Sequence, residues 1–152
     1  MLKINIKYNN YNGEERETDA YFNLNKMEMK RMAAKYPAGI QAHVDRMIAT
    51  DDSNGMMEMI EYLIKTAYGV RSEDGGSFRK NNEDLELFIS SGAYDEYVFG
   101  LTENPDDFVK FLMAIFPKDA ADAMRAEIDR QELLAAEKAK EEEPKEVYIE
   151  DN

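Results

Sequence analysis

YGVRSEDGGSFRK, from Tyr68 to Lys80, divides the chain into two helical halves, and the fold turns on how it is read. Upstream, Met56, Met57, Ile60, Leu63, Ile64, Ala67 and Tyr68 recur at helical spacing. Gly69 follows where a helix end calls for a residue that tolerates positive φ, so the helix is expected to stop there. Asp74-Gly75-Gly76 is a turn signal with Val70 and Phe78 on either side, which predicts a short hairpin or tight loop. Asn81 or Asn82 is placed to cap the next helix. Two readings of the stretch stay open: a polar connector between helices, or a binding loop.

Moving toward the N-terminus, Asp51, Asp52 or Ser53 can cap the helix that begins near Gly55. A calcium loop built on Gly55 would use Asp52, Asn54 and Glu61, but its first ligand would be Thr50 and Glu61 lies inside the helical run. Capping is the better account, and no metal is expected. Ile40, Val44, Met47 and Ile48 form one stripe of an earlier helix, separated by Pro37 and Gly39 from another. That first helix opens with the capping box Asn25…Glu28, runs to about Lys35 and carries Met27, Met29, Met32 and Ala33. Before it, Leu2, Ile4, Ile6 and Tyr8 alternate with polar residues, the period of a half-buried strand. Asn12-Gly13 turns the chain, and Glu14 to Phe22 returns as a second strand. A lone hairpin is marginal in water, so its apolar face must lie on the helices or its edge must pair with another chain.

Toward the C-terminus, Leu85, Leu87, Phe88 and Ile89 make a short helix interrupted at Ser90-Ser91-Gly92. A further helix from Ala93 to Leu101 shows Tyr94, Tyr97, Val98 and Leu101 on one face. Asn104-Pro105-Asp106-Asp107 is a strong start signal: Asn caps, Pro fits the first turn, and two acids meet the positive end of the dipole. Phe108, Phe111, Leu112, Ile115 and Phe116 follow as the clearest core stripe, ended by Pro117. Residues 118–143 are rich in Ala, Glu and Lys with a thin stripe of Met124, Ile128 and Leu134, which predicts a projecting or frayed helix. Residues 144–152 are expected to be a disordered acidic tail. The expected fold is mainly α (α+β), a helical domain over 1–117 with an N-terminal β-hairpin.

Composition narrows function by exclusion. No apolar run reaches the length of a membrane span, and no signal-peptide core follows Met1, so a cytoplasmic protein is expected. Nineteen basic against thirty-two acidic residues give a net charge of −13, which opposes sequence-independent binding of nucleic acid. Of that charge, residues 118–152 hold twelve acids against six bases. Ten Met and no Trp point to core filling or to adaptable partner surfaces. Tyr8, Tyr11, Tyr21, Tyr62, Tyr68, Tyr94 and Tyr97 are many for a small core, and Tyr is favoured at interfaces.

Catalytic patterns are missing from the sequence. His43 is the single histidine and has no Ser, Cys or second His partner; a structural place on a helix is the better account. There is no phosphate loop and no His/Cys cluster for zinc. Adjacent acids such as Glu73-Asp74, Asp95-Glu96 and Asp106-Asp107 do not make an acid/base pair, because helical neighbours point apart. Neither enzymatic activity nor a cofactor is expected.

Three stretches in order carry a family resemblance: the hairpin region with YFNLNKMEM (Tyr21–Met29), the YGVRSEDG run with Phe78 and Arg79, and FISSGAYDEYVFGLTENPDDFVKFLMAIFP (Phe88–Pro117). Together, over about residues 1–117, they resemble the tail assembly chaperones of long-tailed (siphovirus-type) bacteriophages and prophages of Gram-positive bacteria. The resemblance implies binding of the tape-measure protein and tail-tube subunits in the host cytoplasm, and absence from the mature virion. Candidate partner-binding residues are Tyr68, Arg71, Ser72, Glu73, Asp74, Phe78, Arg79 and Tyr94. Self-association through the hairpin edge is a further expectation. The alternatives are an acidic DNA mimic that blocks a host enzyme, and a structural virion protein.

Overall fold

The alternating residues at the N-terminus form β1 (Leu2–Asn9) and β2 (Glu15–Phe22), paired antiparallel from Leu2↔Phe22 to Asn9↔Glu15. In this computed structural model, which describes residues 1–142 and Pro144, Gly13 takes the left-handed conformation that closes the turn (φ 78°). The Asn10 side chain accepts from the N–H groups of Asn12 and Glu14 at 3.0 and 2.9 Å. One face of the hairpin turns inward through Leu2, Ile4, Ile6 and Tyr8 with Ala20 and Phe22. The other stays in water and matches opposite charges, with Lys3 3.2 Å from Asp19.

Helix starts follow the side chains expected to cap them. Asn25 and Glu28 close a full capping box on α1 (Lys26–Lys35). After Pro37 and Gly39 come α2 (Ile40–Ala49) and then α3 (Ser53–Ala67), whose Asp52 carboxylate accepts from the Gly55 N–H at 2.9 Å. Asn81 rather than Asn82 caps α4 (Asn82–Ile89). The Ser90-Ser91 break separates it from α5 (Gly92–Glu103), and Asn104-Pro105 opens α6 (Pro105–Ile115). Last is α7 (Lys118–Glu141), which packs through Ala120, Ala121, Met124 and Ile128, whereas Leu133 and Leu134 are exposed. The expected acidic tail lies, apart from Pro144, outside the described residues.

The central stretch differs from its sequence reading in two ways. Gly69 is not the left-handed terminator of α3; positive φ among the glycines occurs at Gly13, Gly39 and Gly75. The helix ends at Ala67 because Tyr68 already turns extended (φ −62°, ψ 140°) into β3 (Tyr68–Arg71). A short partner, β4 (Phe78–Arg79), returns beside it. The stretch also does more than form its own hairpin. Phe22 pairs with Tyr68 and Tyr21 with Gly69, so both hairpins join one antiparallel sheet in the order β1-β2-β3-β4. Gly69 is needed for space: a Cβ there would lie 2.6 Å from the Phe78 ring and 2.8 Å from the Arg79 carbonyl.

Phe22 stands at the centre of the core. Its ring lies 5.9 Å from Tyr68, 6.0 Å from Phe88, 5.4 Å from Tyr97 and 5.7 Å from Phe111, in edge-to-face and offset arrangements. Just after it, Asn23 and Leu24 donate backbone N–H groups to Ala67 and Ile115 at 2.9 Å each. Two helix C-termini are thereby given donors for carbonyls that would otherwise be orphaned. Among the described residues the fully buried side chains are all apolar. Ile48, on the predicted stripe of α2, is instead 48% exposed.

Candidate functional site

The candidate residues separate into two groups. Arg71, Ser72, Glu73, Asp74, Phe78 and Arg79 belong to the β3–β4 hairpin, most of them exposed. Tyr68, the first residue of β3, and Tyr94, on α5, are half-buried and meet at Phe88. Tyr68 stacks on Phe88 at 4.2 Å with the rings 7° from parallel, and Tyr94 meets the other side of the cluster edge-on, 5.7 Å from Phe88. Burial pushes the phenols of both tyrosines above their ordinary values. The Tyr94 hydroxyl is enclosed and has no hydrogen-bond partner among the described residues, while the nearby Lys65 charge opposes the effect of burial.

Within the hairpin, Ser72 and Asp74 build the turn together. The Ser72 hydroxyl donates to Asp74 at 2.6 Å and accepts from the Ser77 N–H at 3.0 Å; the Gly76 N–H also donates to Asp74 at 2.9 Å. These two donors, the hydroxyl first, hold the Asp74 carboxyl below its ordinary value. Asp74-Gly75 therefore does not supply the turn unaided. Arg79 pairs with Asp84 at 3.0 Å, anchoring β4 to the first turn of α4 and leaving Glu73 outside the pair. Arg71 lies over the Tyr21 ring, 5.4 Å from its centre.

Lys80, which is not among the candidate contact residues, locks the hairpin to the body. Its ammonium reaches Glu28 and the Asn23 carbonyl at 2.6 Å each, in a pair only about one fifth exposed. Glu28 is already the returning half of the α1 capping box, so one carboxylate serves both contacts. Sequence spacing gives no warning of a pair 52 residues apart.

Two apolar grooves were also invisible in the sequence. One, of about 440 Å³, lies beside β1 and is lined by Leu2, Ile4, Tyr97, Leu101 and Phe111 with a mixed rim of Glu96, Asp107 and Lys110. Burial, with a smaller contribution from Asp107, raises the Tyr97 phenol strongly. The other, of about 400 Å³, is formed where α2, α3, α5 and α6 meet, by Met47, Ile48, Met56 and Met57 under Asp51, Asp52 and Glu103. His43, half-buried, lies 4.7 Å from the Tyr36 ring and takes a hydrogen bond from Arg46 at 2.8 Å, the structural place expected for it. Among the described residues no three His, Cys, Asp or Glu side chains converge as a metal site, and no helix is long and apolar enough to cross a membrane.

A family model described as phage tail assembly chaperone matches residues 1–152. No curated protein and no solved structure matches the chain.

Proposed function

The chain belongs to the phage tail assembly chaperone family, and we propose that it binds the tape-measure protein and tail-tube subunits while a long, siphovirus-type tail is built. The match over the whole chain carries this reading. It works in the infected host cell; we place it in the cytoplasm of a Gram-positive host and outside the finished virion. Its role is to cover client surfaces until they assemble. A surface with two apolar grooves, one of them under an acidic rim, suits that role better than catalysis. The DNA-mimic alternative has less support, because the outer face of β1 and β2 alternates charge through Lys3–Asp19 and Lys7 opposite Glu17.

In this reading the β3–β4 hairpin is a client contact. Glu73 is its best probe, being exposed and outside both the turn network and the Arg79–Asp84 pair. The test is co-expression of the chain with tape-measure and tail-tube proteins, followed by affinity capture. The parent should retain the tape-measure protein, and Glu73→Ala should weaken capture with an unchanged melting temperature. Arg79→Ala removes an ion pair whose arginine is mostly exposed although Asp84 is not, worth about 1 kcal/mol, so it too should fold normally. Capture of neither client by the parent would refute the client reading; full capture by both variants would reduce the hairpin to a connector.

A further inference from the structure

We propose that the groove between α2, α3, α5 and α6 is the seat of an amphipathic, positively charged helical segment of a client protein. This rests on the client-binding reading above. The groove's floor is Met47, Ile48, Met56 and Met57, and two of these hold substantial apolar surface in water: Ile48 is 48% exposed and Met57 43%. Phe99, 62% exposed, lies one turn before Thr102 and Glu103 on the face of α5 that lines the groove. Ile48 breaks the inward stripe of α2 at this place. Unbranched methionines around one isoleucine make a surface that adapts to differing side chains.

Charge selects the occupant. The lining includes Asp51, Asp52 and Glu103 and no basic residue. Asp52 is engaged by the Gly55 N–H in capping α3, but it keeps its negative charge. The groove beside β1 gives no such direction, since Lys110 stands on its rim 3.7 Å from Asp107. A second copy of this chain, at net −13, would be repelled from three carboxylates, and so would the acid-rich end of the same chain. A segment with lysines or arginines flanking an apolar face is attracted instead. The groove is walled by helices and no strand residue lines it, so it lacks the strand edge that β-addition needs and the fitting mode is a helix laid into a groove.

The probe is a fluorescent amphipathic peptide of leucines and lysines, compared with a leucine–glutamate peptide of equal length. The full chain should bind the lysine peptide at least about tenfold more tightly. Methyl NMR of the methionines should show shifts at Met47, Met56 and Met57 and none at Met27 or Met32. Ile48→Lys with Met57→Lys should lower affinity for the lysine peptide at least about tenfold, since both the lost apolar surface and the added positive charge act in that direction. Should that pair of changes unfold the chain, Glu103→Lys, at an exposed position, serves in its place with the same expectation. Equal binding of both peptides, methionine shifts elsewhere, or folded variants that bind like the parent would overturn the assignment. Tape-measure capture separates the two readings. If the parent captures the client and the folded groove variant does so equally well, the groove fails while the client reading stands. If the parent captures no client but the peptide binds with the expected methionine shifts, the client reading fails and the groove's preference for basic helices stands alone.

Discussion

Phe111 is 3% exposed and touches Phe22 and Tyr97 with ring centres 5.7 and 5.9 Å away. Truncation there removes transfer energy and leaves a cavity that its aromatic neighbours cannot close. Phe111→Ala should therefore cost roughly 3–5 kcal/mol in urea unfolding, and a cost below about 1 kcal/mol would show that the cluster repacks. Asp74 illustrates the opposite kind of residue, exposed and fixed only by local bonds. Its folded carboxyl titrates below the ordinary value of 3.8, so its help to the turn is complete above that value and is lost as pH falls through the folded value. A carboxyl-carbon NMR titration should put its midpoint below 3.8, and Ser72→Ala, which removes the hydroxyl donor, should move it upward. An unmoved midpoint would mean that the backbone N–H of Gly76 suffices.

Among the elements, α7 and the central hairpin contrast most. The last residue of α7 packed against the core is Ile128, and the helix continues to Glu141 with Leu133 and Leu134 exposed. Removing everything after Ala136 should shift the melting temperature by no more than about 2 °C, because a helix without a buried face adds little stability. A larger drop would show that the distal turns dock. The hairpin is shorter than α7 and held far more firmly. It pairs with β2, anchors Arg79 on α4 and sends Lys80 under α1, so three separate elements fix its position.

At the scale of the molecule, a net charge of −13 sets a long-range field, while the grooves set short-range contact. Association with a basic client should slow by on the order of tenfold when salt is raised from about 50 mM to about 500 mM, with dissociation less affected. Stopped-flow mixing of the labelled lysine peptide measures both rates, and a salt-independent association rate would place recognition wholly in the apolar floor.

What the sequence determined by itself is local. Caps at Asn25, Asp52, Asn81 and Asn104, the Gly13 turn, and the stripe from Phe108 to Ile115 depend on neighbours within one or two turns, and these were legible. The mainly helical α+β fold with its N-terminal hairpin follows from them. Only tertiary structure decided the joining of two hairpins into one sheet, because the pairing of Phe22 with Tyr68 spans nearly a third of the chain. Gly69 was misread for the same reason: its demand is for the space that Phe78 fills, not for a backbone angle. Tyr68 and Tyr94 looked like contact residues, but half of each went to an aromatic cluster whose members come from separate elements. The grooves and the Lys80–Glu28 pair depend on how helices cross, and hydrophobic period specifies which face is buried without specifying what is left uncovered between buried faces.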